Sequence, residues 1–239
     1  MKKIFYFLNL FLVILLIISA LVSGAVSTTA VTIGDNIFLM FAGGSQVTFQ
    51  LRNFLAYFFT YMIFVYLIQM QLQKKLNNTG YYQLIRYKST NRWLLRWIKE
   101  VTTSNILYLL LLFVSSIGVA FFFTRNLDFS FTLNETLTFY HITYHFFING
   151  FLQLSVYVLF VFILSWWSKE VFHSLIGIII VLLFMFPNMN PSLYIPSGLN
   201  SMFYILEGYS MYRITAILIG WNIISIWVIT YLLKKDLKL

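Results

Sequence analysis

The sequence contains no cysteine and very few charged residues. Without cysteine the chain cannot form disulfide bonds, thiol nucleophiles or thiolate metal sites. Charged residues make up 10% of its 239 residues, whereas an average soluble domain carries about 25%. Because so few charges cannot cover a surface that faces water, we expect most of the surface to face lipid.

Catalytic motifs are also missing. The sequence has no Gly-rich phosphate loop ending in Gly-Lys-Ser/Thr, no His-Glu-x-x-His zinc motif and no Gly-x-Ser-x-Gly nucleophile elbow. An intramembrane protease or proton relay would need ionisable residues inside the membrane spans. The interiors of the spans predicted below contain neither acidic residues nor histidine. We therefore predict that the chain is not an enzyme and binds no cofactor itself.

Positive charge is present in excess, with 16 Lys and Arg residues against 7 Asp and Glu and a net charge of +9. Binding to nucleic acid would require a basic patch on a water-facing domain, and no segment between the apolar runs is long enough to form one. The excess instead matches the enrichment of Lys and Arg on the cytoplasmic side of membrane proteins. We expect no nucleic-acid partner.

Six apolar segments approach the roughly 20 residues that a membrane-spanning helix needs. If both termini are cytoplasmic, thirteen of the sixteen basic residues fall on the inside, which is the asymmetry expected of such a protein. The sequence therefore predicts an all-α, polytopic protein that forms one transmembrane domain over residues 1–239. The predicted spans are residues 4–23, 51–70, 103–123, 147–167, 171–186 and 214–233.

The first apolar segment has an alternative interpretation. Lys2 and Lys3 precede it and small residues follow it at positions 23–25, as in a cleaved signal peptide. Signal-peptide cores run for about 7–15 residues, and this run is longer. A retained first span is therefore favoured.

The segments predicted to lie outside contain helix breakers and one helix-start signal. Gly43 and Gly44 interrupt residues 27–50, which we expect to form a loop. Thr132 and Glu135 have the spacing of a capping box, which predicts a helix that starts there. The apolar run at residues 201–206 is too short to cross the membrane and predicts a half-inserted or interfacial helix, which is tolerated because protein surrounds it.

The longest polar segment, residues 71–102, joins the second and third spans and holds seven of the basic residues. Its second half, residues 91–99, places basic side chains on one face of a helix and tryptophans on another. This pattern is typical of an amphipathic helix that lies in the membrane interface against anionic lipid. We call it the elbow segment; its predicted interfacial residues are Arg92, Trp93, Arg96, Trp97 and Lys99.

The first half of the polar segment contains a compact aromatic cluster, residues 81–87, which we call the docking segment. Exposed aromatic side chains grouped with an arginine are typical of surfaces that bind a protein partner. The alternative is another segment that lies in the membrane interface. The predicted partner-coupling residues are Tyr81, Tyr82, Leu84, Ile85, Arg86 and Tyr87.

Two further features leave alternatives open. His141 and His145 lie four residues apart, so both fall on one helix face and could bind zinc, although two ligands are fewer than a zinc site needs and interfacial rings explain them as well. Small and polar residues are also scattered through the spans, where they could be packing devices or could line a translocation path. They are Ser115, Ser116, Gly118, Asn149, Gln153, Ser155, Asn222, Ser225 and Thr230.

With these features the chain resembles the membrane subunits of ABC transporters, in particular the type-2 exporter permeases. The resemblance is carried by the six spans, the GYYQLIRYKS segment at residues 80–89, the RWLLRW motif at 92–97, the proline-containing outer loop before the last span and the basic tail YLLKKDLKL. Small permeases of Gram-positive bacteria that export or confer immunity to antimicrobial peptides are similar. The family often has an amphipathic helix before its first span, which is missing here or displaced to the elbow segment.

The resemblance implies a multi-pass subunit in the bacterial cell membrane that moves a peptide or other amphipathic substrate. A separate dimeric ATPase would bind ATP and magnesium and push on the docking segment, and a second permease copy or a homologous permease would complete the path. The alternative is a stand-alone membrane immunity or sensor protein without transport activity.

Overall fold

The structure is a computed structural model that describes residues 32–44, 47, 49–74, 90–124, 128–134, 137–168 and 171–237. All regular elements in these ranges are helical, which agrees with the predicted all-α class. The predicted first span and the docking segment lie outside the described residues.

Four helical segments are long and apolar enough to cross a membrane. The first two are α2 (Leu51–Lys74) and α3 (Thr90–Thr124). The third is continuous through α4 (Phe139–Tyr144), one π-helical turn (His145–Asn149) and α5 (Gly150–Ser168). The fourth is α8 (Met211–Leu237). The predicted spans at 51–70, 103–123, 147–167 and 214–233 lie within these four segments.

The predicted fifth span corresponds to a shorter helix. Helix α6 (Val171–Leu183) has 13 residues and continues into tight turns that carry the chain to Phe186. Pro187 follows, which explains the end of the helix because proline removes a backbone donor and clashes with a preceding carbonyl. With 13 residues, helix α6 is shorter than the roughly 20 residues that a membrane-spanning helix needs. The count of six spans therefore stays a prediction.

The elbow segment is not a separate helix. It forms the first turns of α3, which has 35 residues and is therefore about 52 Å long. Trp93 and Trp97 are buried, and their rings lie 6.1 Å and 4.8 Å from the ring of Phe162 in α5. The expected contact of these tryptophans with lipid headgroups is thus replaced by packing within the chain.

Two short helices lie inside the protein. Helix α7 (Met202–Leu206) is buried, as its sequence predicted. Helix α1 (Ile33–Met40) lies in the segment that we expected to be a loop. Thr32 and Asp35 form a capping box at its start, a signal whose spacing is visible in the sequence.

The predicted helix start at Thr132 is wrong. The helix begins at Phe139, where Thr138 and His141 form the capping box. Thr132 instead hydrogen-bonds to Asp35 of α1 through both its backbone N–H and its hydroxyl. The Thr132 hydroxyl, which the local spacing predicts to cap a helix, is instead bound to the Asp35 carboxylate.

The facing ends of α1 and α7 satisfy each other's backbone groups. The N–H groups of Met202 and Phe203 donate to the carbonyls of Phe41 and Ala42 at 3.1 and 3.2 Å, and the Ser201 hydroxyl also donates to Ala42. A helix end buried in protein leaves N–H or C=O groups that need such partners. The pairing also brings the positive end of one helix dipole to the negative end of the other.

Helix α5 is central and packs against α2, α3, α6 and α8. At the predicted outer side, the loop at residues 128–133 covers the start of α1. The Ile33 N–H donates to the Asp128 carbonyl at 2.8 Å, and the Thr32 hydroxyl donates to the Ser130 carbonyl at 2.7 Å. Gly34 allows this approach, because a Cβ atom there would collide with the Ser130 carbonyl oxygen.

We predict that Gly34→Ala destabilises the protein by about 1–3 kcal/mol, the usual cost of overpacking, because the added methyl must push the 128–133 loop away from α1. The measurement is the midpoint of thermal unfolding in detergent. Gly220→Ala is the matched control, since a Cβ atom at Gly220 in α8 meets nothing within 4 Å and alanine favours a helix by up to about 1 kcal/mol. Equal effects of the two substitutions would contradict the proposed contact.

Candidate functional site

The π-helical turn places polar side chains in the interior, where the two short helices meet the long ones. His145, Asn149 and, one turn further, Gln153 are each fully buried. π turns occur most often as single insertions at functional sites. Polar side chains within membrane-spanning helices are costly and usually face the protein interior or a pathway. We therefore take this region as the candidate functional site.

Five groups form one directional chain of hydrogen bonds through it. The chain starts at the Tyr144 hydroxyl, which lies 3.2 Å from the Thr215 hydroxyl. Thr215 donates to Asn149 Oδ1 at 2.7 Å, and Asn149 Nδ2 lies 2.8 Å from His145 Nδ1. His145 Nε2 ends the chain 3.0 Å from the Ser201 carbonyl. The chain therefore links α4 and α8 to the start of α7.

The chain fixes the state of the imidazole. A carbonyl can only accept, so Nε2 of His145 carries the proton, and an amide N–H can only donate, so Nδ1 accepts from Asn149. This is the neutral tautomer with both ring nitrogens occupied. A second proton on Nδ1 would face the Asn149 amide donor and break the chain. The imidazole is thus suited to joining helices, and not to abstracting a proton.

Gln153 and Tyr157 hold the outer loop that precedes α7. The Gln153 amide donates to the Pro196 carbonyl at 2.7 Å and accepts from the Leu199 N–H at 3.0 Å. The Tyr157 hydroxyl accepts from the N–H of Gly198 at 2.8 Å. These side chains of α5 therefore satisfy the backbone groups of an irregular segment that is buried in the protein. A buried irregular segment is tolerated only when its backbone groups have such partners.

One buried polar atom near this layer, Asn105 Oδ1, has no hydrogen-bond partner among the described residues. The other amide atom of this side chain is paired, since Asn105 Nδ2 donates to Ser155 at 3.1 Å. The Asn200 side chain is held by two tyrosine hydroxyls, because it accepts from Tyr57 and also contacts Tyr61. Unpaired buried polar atoms are uncommon in proteins and costly. The layer therefore holds one buried acceptor that a different helix arrangement can pair.

Asp35 holds the 128–133 loop against the start of α1. Its buried carboxylate accepts from the Thr132 hydroxyl and N–H at 2.6 and 2.8 Å, from the Leu133 N–H at 3.3 Å and from the Thr32 N–H at 3.2 Å. Burial alone would raise the pKa of the Asp35 carboxyl, but these hydrogen bonds outweigh it and hold the pKa below its ordinary value. The carboxylate therefore stays ionised at neutral pH.

The two histidines considered for zinc are engaged in different places. His141 Nδ1 accepts from the Thr138 N–H at 3.0 Å at the start of α4, while His145 belongs to the buried chain. Within the described ranges, no group of three or more His, Cys, Asp or Glu side chains is placed to hold a metal ion. The i, i+4 spacing reflects two separate structural roles.

The basic residues of the elbow segment lie on the exposed face of α3. Arg92, Arg96 and Lys99 are exposed, and Arg96 lies 3.5 Å from Glu100 in an ion pair on the same helix face. The predicted division into a basic and an aromatic face is therefore present, with the aromatic face turned toward α5. Contact of the basic face with lipid headgroups stays a prediction.

Asn149, Gln153 and Ser155 were predicted only as scattered polar residues and not as one site. The contacts between Thr215 and Asn149, between His145 and the Ser201 carbonyl, and between Tyr57 and Asn200 were not predicted. The spacing of Asn149, Gln153 and Tyr157 by four residues along one apolar span was a signal for a polar stripe. Its partners in the outer loop had no comparable signal, because irregular segments have no period.

Comparison with models of known protein families, with curated proteins and with solved structures finds no match for this chain.

We predict that the protein loses stability at acidic pH through Asp35. A carboxyl whose pKa is lowered by folding contributes stability above its unfolded pKa of about 3.9, and this is lost as the pH falls through the folded value. The unfolding midpoint should therefore drop below about pH 4 and the Asp35→Asn variant should show a smaller drop. An unchanged pH dependence in Asp35→Asn would show that other groups are responsible.

We also predict that His145→Phe is strongly destabilising. It removes one of the two donors to the Ser201 carbonyl, which keeps only the Tyr204 N–H. It also leaves one of the two Asn149 amide hydrogens buried without an acceptor, at a cost of about 1–3 kcal/mol. His141→Phe makes the same chemical change at the helix start and should cost about 1 kcal/mol or less, as for loss of a cap. The thermal unfolding midpoints of the two variants compare them directly, and similar losses would contradict the buried chain.

Proposed function

We propose that the chain is the membrane-spanning subunit of a transporter of the ABC exporter type, with six spans, both termini in the cytoplasm and ATP hydrolysis in a separate dimeric subunit. The substrate is a peptide or another amphipathic molecule, and export of or immunity to an antimicrobial peptide is the role we favour. A second copy of this chain or a homologous permease completes the translocation path in the cell membrane.

The continuity of α3 is the observation that supports this proposal best. The helix begins at Thr90, three residues after the docking segment ends at Tyr87. At about 52 Å it exceeds the roughly 30 Å hydrocarbon core, so part of it extends beyond the membrane. A push on the docking segment would therefore act on the end of one continuous helix.

The packing of α3 against α5 supplies the next step in the proposed coupling. Trp93 and Trp97 lie against Phe162 of α5, and α5 is continuous with the π turn that carries His145 and Asn149. Packed side chains and continuous helices are the elements through which a displacement can be transmitted. Motion of α3 would thus reach the buried polar layer without any flexible connection between described elements.

The polar layer provides groups that an amphipathic substrate requires. Its amides and hydroxyls are uncharged, and Asn105 Oδ1 is a buried acceptor that the described residues leave unpaired. Peptide groups of a substrate can pair with such donors and acceptors at low cost, because the exchange replaces one neutral hydrogen bond by another. We propose that rearrangement of the α3–α5 pair exposes this layer to the substrate path.

The test is affinity purification of the chain from native membranes, followed by photolabelling with an ATP analogue and identification of the labelled subunit by mass spectrometry. We expect an ATP-binding-cassette ATPase to co-purify with the natural sequence. Leu84→Asp with Ile85→Asp should remove it, because two charges in the apolar part of the docking segment would have to be desolvated on binding.

Gln73→Asp is the control for the added negative charge, since Gln73 is exposed near the end of α2 and outside the docking segment. It should leave the ATPase bound. A natural complex that contains no ATPase, together with protection against an antimicrobial peptide, would favour the stand-alone immunity protein. An ATPase retained equally by all variants would place the coupling surface elsewhere on the chain.

A further inference from the structure

An apolar groove opens on the side of the protein between α3, the π turn with α5, and α8. Its volume is about 450 Å³ and its walls are nearly all hydrocarbon. Several wall residues are only half-buried, so the groove is open to the surroundings along one side. The walls include Ile106, Leu110, Ile148, Phe151, Thr215 and Ile219.

The position of the groove along the helices places it at the depth of the hydrocarbon core. Leu110 lies about 30 Å from the start of α3 and about 21 Å from its end. Ile219 lies eight residues into α8, which starts at Met211, and is therefore about 12 Å from the start of that helix. The fluid in contact with the opening at this depth is lipid acyl chain.

The size of the groove argues against a helix as its occupant. One turn of helix with its side chains is about 10–12 Å wide and 5.4 Å tall, so a single turn fills about 500 Å³ and the groove has room for about one turn. Pockets for small organic ligands span about 300–1,000 Å³. The groove thus fits a slender flexible chain better than a second membrane-spanning helix.

The groove has a polar boundary on one side. Thr215 lines it, and its hydroxyl lies 3.2 Å from that of Tyr144. The ring of Tyr144 lies 6.1 Å from that of Tyr140 and 5.5 Å from that of Tyr212, and Tyr140 and Tyr212 are each 59% exposed. Exposed tyrosines at helix ends are typical of the headgroup level of a membrane.

From this arrangement we infer that the groove binds one acyl chain of a bilayer phospholipid, whose polar end lies at the tyrosine cluster Tyr140, Tyr144 and Tyr212. The chain would contact hydrocarbon on three sides, in contrast with the single side offered by a convex helix face. The groove borders the buried hydrogen-bond chain at Thr215, which lines the groove and also belongs to that chain. This inference does not depend on the transport proposal.

The first test maps contacts in the unmodified protein. The full chain is reconstituted in vesicles that contain phosphatidylcholine with a photoactivatable group in the middle of one acyl chain, and the adducts are located by mass spectrometry. We expect adducts concentrated at Ile106, Ile148 and Ile219. Val114 and Ile223 are 65% and 63% exposed, more than the groove residues, and should carry few. Adducts in proportion to exposure alone would overturn the inference.

The second test fills the groove. Ile219→Trp introduces an indole into it, whereas Ile223→Trp makes the same change about one turn further along α8 and outside it. The indole would occupy the space that the acyl chain fills, so Ile219→Trp should remove most of the phospholipid that the purified protein retains in native mass spectrometry. Ile223→Trp should retain phospholipid as the natural sequence does.

Both substitutions replace a lipid-exposed side chain, and unfolding midpoints measured beside the retention identify any general loss of structure. Equal retention by Ile219→Trp and Ile223→Trp would overturn the inference. A change from dimer to monomer on Ile219→Trp, without loss of phospholipid, would assign the groove to a second copy of the chain and would also overturn it.

Discussion

The structure depends on a requirement that backbone groups impose. A helix that ends inside a protein leaves N–H or C=O groups without helical partners, and in a buried position no bulk water can replace them. The ends of α1 and α7 solve this by pairing with each other, and the irregular loop before α7 is satisfied by Gln153 and Tyr157 of α5. The polar side chains of α5 are therefore required by the short helices, and the site follows from the fold.

The same requirement explains which parts of the structure could be predicted. The long helices were evident because an apolar run of about 20 residues has few other stable conformations. Gly43 and Gly44 predict a loop over residues 27–50, whereas the structure has helix α1 there. Thr32 and Asp35 form the capping box at the start of this helix, and the two glycines lie after its end. The start of α4 was misplaced because Thr132 has a partner 97 residues away, and local spacing contains no information about such a partner.

The individual polar residues of the candidate site could be predicted from the sequence, but their hydrogen-bond partners could not. Asn149 and Gln153 stand out in an apolar span, but most of their partners are backbone carbonyls and N–H groups, such as those of Met211, Pro196 and Leu199. Every residue offers these groups, so no residue type identifies the partner. The amphipathic pattern of the elbow segment is visible in the sequence. Its tryptophans pack against Phe162, about 65 residues later in the chain, and the local pattern does not indicate this contact.

The uncharged nature of the buried layer limits how it can respond to a push. An ion pair in the same place would lose several kcal/mol if its partners separated, because each charge would remain buried. Hydrogen bonds between neutral groups cost only about 1–3 kcal/mol each when broken, and a new partner recovers that cost. The chain from Tyr144 to Ser201 joins α8, the π turn and α7 through single bonds of this kind. Exchange of partners within the layer therefore costs less than separation of a buried ion pair would, and the coupling that we propose through the α3–α5 contact requires this property.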